Sequence, residues 1–474
     1  MLFNSFEFAV FFPVVTLLYF ATPARRRWIV LLIASAVFYM AFIPAYLLIL
    51  LALIVIDYTA ALLIERAKGP ARRRLLLVSV ASNIGILGAF KYYNFLATNV
   101  DSLARVMGYS PSSLPLLSWV LPIGLSFHTF QSMAYTIEVY RGRFPAERHL
   151  GYYALYVMYY PQLVAGPIER PYNLLPQLRR EQVLEPTRIA SGLKLMAWGL
   201  FKKVVIADRL AFVVNAVYAQ PSSANGAALI VATVFFAWQI YCDFSGYTDI
   251  AIGAAEVMGI DLMCNFRRPY LATSTRDFWT RWHVSLSSWF RDYVYIPLGG
   301  NRRGRARTYR NLVTIFVLCG FWHGAAWTFV VWGLFHGLVL VIERITGFSG
   351  DPTRLPLLAL RRAVTMLLVV VSWVFFNSAS LPKAFRTIGA MFSPQGTALP
   401  AAVHATLNHQ RTLVLCLAVT VVLLPRSVTV GRLLEYGNGR LAAVGRFATV
   451  ALAGPYAAIL VAAGTFSPFI YYQF

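Results

Sequence analysis

Histidines are the first candidates for chemistry, because the chain has only seven and four of them fall in or near apolar segments. An ionisable side chain is costly to bury in such a segment, so its presence there suggests a function. The four are His128, His283, His323 and His336. We interpret His336 as a packing histidine.

His323 lies in the stretch "CGFWHGAAW", where small and aromatic residues surround it. The small residues leave room for a substrate or for a neighbouring helix, and the two tryptophans would wall a pocket. A neutral imidazole in such a pocket could take a proton from an attacking hydroxyl. The alternative is a histidine that is hydrogen-bonded between helices. The residues concerned are Gly320, Trp322, Gly324, Ala325, Ala326 and Trp327.

His283 lies among three arginines, Arg276, Arg281 and Arg291, in "RDFWTRWHVSLSSWFRDY". This density of guanidinium groups is typical of a site for an anionic ligand, such as a donor that carries phosphates. A structural alternative is that the arginines extend their charged ends towards water beside a buried ring.

Asp243 and Asp249 lie within the apolar stretch "WQIYCDFSGYTDIAIG". Two carboxylates in such a stretch must pair, take up protons or face water. We predict that Asp243 orients a histidine or forms an ion pair with an arginine of the segment 276–291. A purely structural role between helices is an equally good interpretation.

Composition indicates the elements that must position these residues. Of the 474 residues, 58% are hydrophobic and only 13% are charged, which excludes an ordinary soluble enzyme and predicts an all-α polytopic membrane protein. A membrane-spanning helix needs roughly 20 apolar residues. We predict about 11–12 spans, which begin near residues 6, 28, 46, 75, 118, 192, 226, 311, 328, 362, 411 and 444.

Two segments, 152–180 and 274–300, mix aromatic residues with prolines or arginines and do not have the pattern of simple spans. Irregular backbone at membrane depth must be surrounded by protein or by a water-filled cavity. We therefore predict that both segments are re-entrant and form the floor of an internal cavity.

Lys and Arg outnumber Asp and Glu by 42 to 19, and the basic clusters lie between apolar spans. Basic loops remain in the cytoplasm, so this pattern predicts that the N-terminus and, by span parity, the C-terminus lie outside. The excess charge would also attract anionic lipids. Clusters placed in this way argue against nucleic acid as a partner.

Known motifs narrow the chemistry further. The chain has no Walker A loop, dinucleotide-binding glycine motif or H-E-x-x-H sequence, which argues against nucleotide hydrolysis, dinucleotide redox chemistry and zinc proteolysis. Its four cysteines are widely separated, and neither a disulfide framework nor a metal site is predicted.

Five sequence blocks resemble those of the membrane-bound O-acyltransferases, in the branch of bacterial alginate O-acetyltransferase-like proteins. They occur in the family's order over nearly the whole chain. The blocks are "MLFNSFEF", "YYPQLVAGPIER", "DFSGYTDIAIG", "NFRRPYLATSTRDFWTRWHVSLSSWFRDYVYIPLGGNR" and "GFWHGAAWTFVVWGLFHG". The resemblance implies a single membrane domain, 1–474, in which tilted helices and re-entrant segments surround a central tunnel.

The resemblance also implies roles for residues of this chain. His323 matches the catalytic histidine, and His283 matches the second signature position of the family. The expected reaction is attack by a hydroxyl on a thioester, with His323 as the general base and acetyl-CoA, or another acyl thioester, as donor substrate; no bound cofactor is expected. The candidate donor-binding residues are Trp322, Arg276, Arg281, Arg291 and Asp243.

Location and partners are further expectations from the resemblance. The protein would lie in the bacterial inner membrane and modify a surface polysaccharide with the help of an extracytoplasmic SGNH-type acetyltransferase. Alginate, cellulose, peptidoglycan and secondary wall polymers all remain open as the final acceptor.

The segment 467–474, "SPFIYYQF", is similar to an aromatic ending found in this branch. By analogy Tyr471 would enter the tunnel from outside, accept the acyl group and pass it on. The alternative is an aromatic belt that anchors the last span at the membrane interface.

A lipid-modifying acyltransferase of the same fold, with a hydrophobic acceptor, remains open on the sequence alone, and so do two other functions. One is D-alanyl transfer to teichoic acid, which is catalysed by relatives of the same family. The other is a proton-coupled transporter, in which the buried histidines and aspartates would relay protons.

Overall fold

A computed structural model describes residues 1–110, 114–219, 225–348, 354–393, 409–423, 440, 443–444 and 469–470. The described residues are 77% helical and contain no β-strand. Together with the apolar helices described below, this confirms the prediction of an all-α polytopic membrane protein.

The first eleven helices precede residue 220. They are α1 (Phe6–Ala21), α2 (Arg27–Met40), α3 (Tyr46–Arg66), α4 (Pro70–Leu87), α5 (Tyr93–Val106), α6 (Leu125–Tyr140), α7 (Leu150–Met158), α8 (Tyr160–Leu163), α9 (Pro171–Arg179), α10 (Pro186–Leu200) and α11 (Asp208–Ala219). Two π-helical stretches, Gly88–Tyr92 and Phe201–Ala207, join α4 to α5 and α10 to α11.

The remaining described helices follow residue 225. They are α12 (Gly226–Val257), α13 (Thr275–Arg281), α14 (Val284–Phe290), α15 (Arg305–His323), α16 (Trp327–Thr346), α17 (Leu355–Asn377), α18 (Leu381–Met391) and α19 (His409–Leu423). A third π-helical stretch, Arg291–Tyr295, continues α14.

Five helices of the described chain are long and apolar enough to cross a membrane. Large apolar side chains on and beside them face outward, for example Leu48, which is 70% exposed. This arrangement suits a protein whose surroundings are hydrocarbon. The larger number of 11–12 spans remains a prediction. The five helices are Tyr46–Arg66, Pro70–Val106, Gly226–Val257, Trp327–Thr346 and Leu355–Asn377.

Contacts within the chain define two compact units, each assembled from separate stretches. Unit 1 comprises Met1–Leu2, Glu7–Ile189 and Ala255–Met263. Helices α3, α4 and α6 pack together in it. Asp57 of α3 is buried between them and accepts hydrogen bonds from Ser79 Oγ (2.7 Å) and Asn83 Nδ2 (2.9 Å) of α4. These donors satisfy a carboxylate that would otherwise be costly to bury.

The first of the two irregular segments belongs to unit 1. It divides into α7, α8 and α9, and its aromatic residues Tyr159 and Tyr160 are fully buried. The buried carboxylate of Glu169 accepts hydrogen bonds from the backbone of Met263 and from Asn173 Nδ2. The segment is therefore enclosed by protein, as irregular backbone in a membrane protein must be.

Unit 2 comprises Phe3–Phe6, Ala190–Ala254 and Cys264–Phe474. Helices α10 and α12 approach closely through glycines: a Cβ atom added to Gly253 would lie 2.4 Å from the carbonyl oxygen of Gly192. Helices α15 and α16 form a second close pair. The other irregular segment lies in this unit as α13, α14 and the π-helical stretch that follows.

Candidate active site

His323 is the last residue of α15, in unit 2. The backbone becomes extended at Gly324 (φ −160°, ψ 148°) and α16 begins at Trp327, so the imidazole lies at the turn between two helices. The side chain is buried. Its ring centroid lies 4.9 Å from that of Trp322, 5.2 Å from Trp332 and 5.3 Å from Phe376.

The small residues around His323 admit a neighbouring helix. A Cβ atom added to Gly320 would lie 2.1 Å from the carbonyl oxygen of Phe329, and one added to Gly333 would lie 2.1 Å from that of Phe316. The sequence left open whether these small residues make room for a substrate or for a neighbouring helix. In the structure, Gly320 and Gly333 contact a neighbouring helix. Trp327 is 53% exposed, whereas Trp322 is buried.

His283 lies between α13 and α14 with a left-handed backbone (φ 44°, ψ 54°). This conformation is costly for a residue with a Cβ atom and is found preferentially at functional sites. Asn265 supports the turn: its backbone and side-chain oxygens accept the N–H groups of Val284 (3.0 Å) and Ser285 (3.2 Å). Burial lowers the pKa of His283 to about 3, so this imidazole is neutral at physiological pH.

Trp322 is close to both histidines. Its ring is 6.1 Å from that of His283 and 4.9 Å from that of His323. Phe244 meets the imidazole of His283 edge-on at 4.7 Å. The structure therefore brings the two predicted histidines and Trp322 together in one aromatic cluster of unit 2.

Buried lysines form ion pairs with the carboxylates of α12. Lys203 Nζ lies 2.8 Å from Asp243 Oδ1 and 2.9 Å from Asp208 Oδ1, and Lys202 Nζ lies 2.7 Å from Asp249 Oδ2. Asp243 thus forms its ion pair with a lysine, where the sequence had suggested an arginine. The two lysines were missed, although their position in an apolar stretch, "FKKVVIAD", was a signal.

A cavity of about 510 Å³ opens beside the second irregular segment, and arginines line it. Arg276 and Arg291, two of the predicted donor-binding residues, are among the lining residues. Arg281 is not, and its Nε atom pairs with Asp277 Oδ1 at 2.7 Å. The lining arginines are Arg267, Arg276, Arg291 and Arg344.

The apolar side of this cavity follows one face of α15. Leu312, Phe316 and Cys319 line it, at the spacing that places side chains on a single helix face. His323, four residues after Cys319, continues the same stripe. The cavity lining thus ends one helical turn, roughly 6 Å, before the histidine.

Glu343 holds the arginine-bearing segment in place. This buried carboxylate of α16 accepts hydrogen bonds from the backbone N–H groups of Thr275 (2.5 Å) and Arg276 (3.1 Å) at the start of α13. A carboxylate at a helix N-terminus satisfies N–H groups that have no partner within the helix. Nothing in the sequence pattern indicated this contact.

His336 has a different environment from the other two histidines of unit 2. Its Nδ1 atom accepts a hydrogen bond from Trp279 Nε1 (3.4 Å), and its Nε2 atom lies 3.0 Å from Ser372 Oγ. Both ring nitrogens are therefore engaged between helices, which agrees with a packing role.

Residues 469 and 470 of the C-terminal segment lie inside unit 2. Phe469 and Ile470 are buried, and the Ile470 N–H donates a hydrogen bond to Asp243 Oδ2 at 2.7 Å. These two residues therefore do not lie at the surface, as an aromatic belt would require. Tyr471, the predicted acyl carrier, lies outside the described residues.

Comparisons with known proteins agree on one family. The profile of the membrane-bound O-acyltransferase family matches residues 146–380. The probable alginate O-acetylase AlgI of Pseudomonas syringae pv. tomato is 42% identical over 394 residues, which cover 82% of this chain and 74% of that protein. The peptidoglycan O-acetyltransferase of Helicobacter pylori is 35% identical over 436 residues, which cover 84% and 81%. The teichoic acid D-alanyltransferase of Streptococcus thermophilus is 29% identical over 271 residues, 54% of this chain and 63% of that protein.

Gly320→Ala tests how His323 is placed. The new methyl group would overlap the carbonyl oxygen of Phe329, so α15 and α16 must separate, at a cost of about 1–3 kcal/mol. We expect a lower Tm in detergent. In the control Gly85→Ala no atom lies within 4 Å of the added carbon, and its Tm should stay the same or rise. An unchanged Tm for Gly320→Ala would show that the close contact is unimportant.

Proposed function

Because the chain belongs to the membrane-bound O-acyltransferase family and is therefore an O-acyltransferase, we propose that it takes an acetyl group from a cytosolic thioester and passes it across the membrane. The final acceptor is an extracytoplasmic polysaccharide, reached through an SGNH-type acetyltransferase. Support comes from the relatives named for O-acetylation, whose similarity extends over more than four-fifths of this chain. The D-alanyltransferase matches only about half of it.

One observation supports the proposed binding of acetyl-CoA as the donor. The arginine-lined cavity runs along the face of α15 that ends in His323. Arginines bind phosphates through paired, charge-assisted hydrogen bonds, so they suit the phosphates of acetyl-CoA. An apolar wall suits the chain that connects those phosphates to the thioester. A donor bound in this way would direct its acyl group towards the histidine.

The proposed chemistry divides between the two histidines. The N–H of neutral His283 would donate a hydrogen bond to the thioester carbonyl and stabilise the negative charge that develops on its oxygen. His323 would take the proton from the attacking hydroxyl as that oxygen bonds to the carbonyl carbon. Collapse of the intermediate breaks the carbon–sulfur bond, and the thiolate leaves with the proton that His323 has held. The carbonyl end of α15 favours the transient positive charge on His323.

The membrane arrangement is part of the proposal. The protein would lie in the bacterial inner membrane with both termini outside, and the thioester would bind from the cytoplasm. Tyr471 would receive the acetyl group and deliver it to the partner enzyme. A phenol has a pKa near 10, so a base such as His323 is needed to make its oxygen nucleophilic.

His323→Ala tests the assignment of the general base. Loss of a positioned base typically slows a reaction by about 10²–10⁴-fold, and we expect a loss of acetyl transfer from acetyl-CoA in this range. His336→Gln is the matched control, since it changes another buried histidine of unit 2 and keeps hydrogen-bonding groups. Transfer rates in detergent, with Tm as the measure of folding, separate the two. An equal loss of activity in both variants would contradict the assignment.

Substitution of the cavity arginines tests donor binding. Arg276→Ala and Arg291→Ala each remove a charged group from the cavity, and a hydrogen bond to a charged partner is worth about 1.5–3 kcal/mol. We expect the KM for acetyl-CoA to rise about tenfold or more for each, with a smaller change in kcat. Arg281→Gln, outside the cavity lining, is the control and should leave KM near the wild-type value. If Arg276→Ala and Arg291→Ala raise the KM no more than the control Arg281→Gln does, this donor site is ruled out.

Tyr471→Phe tests the acyl relay. Wild-type protein incubated with acetyl-CoA should gain the mass of one acetyl group on the peptide that contains Tyr471, because its hydroxyl forms the ester. The variant has no oxygen at this position and should gain none. Intact-mass and peptide mass spectrometry measure both, with His323→Ala as a third sample that should remain unmodified. Equal acetylation of wild type and Tyr471→Phe would eliminate the relay.

A further inference from the structure

Asp243 has two different partners for its two carboxylate oxygens. Oδ1 lies 2.8 Å from Lys203 Nζ, and Oδ2 accepts the backbone N–H of Ile470 at 2.7 Å. Both Asp243 and Ile470 are buried, and they are 227 positions apart in the chain. The second bond is made to the main chain, so it does not depend on which side chain residue 470 carries.

The charges around Asp243 favour an additional hydrogen-bond donor. Lys202 pairs with Asp249, and Lys203 pairs with both Asp208 and Asp243, so these ion pairs contain three carboxylates and only two lysines. A buried carboxylate that shares its cation with another gains from each N–H group it receives. The Ile470 N–H is such a group. Its hydrogen bond to Asp243 therefore holds residue 470 in a fixed position relative to α12.

An aromatic pocket beside Asp243 receives the preceding residue. The ring of Phe469 stacks on Tyr247 at 4.8 Å and meets Phe244 at 5.6 Å. Phe3 stacks on Tyr247 at 4.6 Å. Phe244 and Tyr247 follow Asp243 on α12, so one helix supplies both the hydrogen-bond acceptor and the pocket. Phe244 also contacts His283, which places this pocket next to the histidine cluster.

We propose that Asp243, Phe244 and Tyr247, held in place by Lys203, form an internal docking site for the chain's own C-terminal segment. Phe469 fixes the register of that segment, and the hydrogen bond from Ile470 to Asp243 fixes how far it enters. Asp243 is then a positioning residue, not a ligand of the thioester donor. The purpose of the docking rests on the proposed relay, because the residue that follows the anchored Ile470 is Tyr471.

Digestion from the C-terminus measures docking directly. Purified full-length protein in detergent is treated with carboxypeptidase, and the loss of residues is followed by intact mass. In the wild type we expect trimming to stop at or before Ile470, because a docked backbone cannot enter the protease. Asp243→Ala removes the acceptor and should accelerate removal of Ile470 and Phe469 at least about tenfold. In Asp243→Asn, where an amide oxygen can still accept the N–H, the acceleration should be smaller.

A second variant changes the C-terminal segment instead of the residues that receive it. Phe469→Ala empties the aromatic pocket and leaves Asp243 and Lys203 unchanged, so it should also accelerate trimming even if Asp243→Ala fails to fold. Phe392→Ala replaces an exposed phenylalanine and is the matched control, expected to be trimmed like the wild type. The proposal is overturned if the wild type is digested through Phe469 without slowing, or if folded Phe469→Ala and Asp243→Ala are trimmed at the wild-type rate.

Trimming also separates docking from the relay. His323→Ala should be trimmed like the wild type, since docking requires no acyl transfer. If Tyr471 is never acetylated while the trimming pattern holds, the docking site stands and the relay is wrong. If acetylation occurs but trimming is unaffected by both docking variants, the relay stands and this docking site is wrong.

Discussion

Buried charges must be paired, and in unit 2 this requirement fixes the position of α12. Lys202 and Lys203 are adjacent in the π-helical stretch Phe201–Ala207 and form ion pairs with Asp249 and Asp243 of α12. Removing one partner of a buried pair leaves an uncompensated charge, which costs far more than the pair contributes. The pairs therefore act mainly as a constraint on geometry. Because they hold α12, they also hold Phe244, whose ring meets His283 edge-on.

A second constraint comes from backbone that leaves the regular helix. The segment from α13 to α14 carries His283, and its main-chain groups need partners because hydrocarbon offers none. Asn265 supplies two acceptors at one turn, and Glu343 supplies two at the start of α13. In each case one residue satisfies two N–H groups. The irregular backbone that gives the histidine its unusual conformation is thus stabilised by residues distant in sequence.

These two constraints explain what the sequence could predict. Apolar composition is a property of most segments, so it predicted the helical membrane fold, and local motifs indicated His283 and His323 as candidate site residues. The partner of Asp243 depends on which helices meet in space, and Glu343 belongs to no recognised motif, so neither contact was predictable. The pairing of Arg281 was predictable, since Asp277 lies four residues earlier on the same helix face.

The environments of the two histidines explain how identical side chains could take different roles. His283 is buried beside Phe244 on irregular backbone, and its burial favours the neutral imidazole, which can donate a hydrogen bond without carrying charge. His323 lies at the carbonyl end of a helix, where a positive charge is favoured. A general base must become positive during the reaction, and a group that stabilises an oxyanion need not. The proposed roles therefore follow from the position of each histidine in the backbone. If the two histidines exchanged roles, the transient positive charge would form on His283, in the less favourable of the two environments.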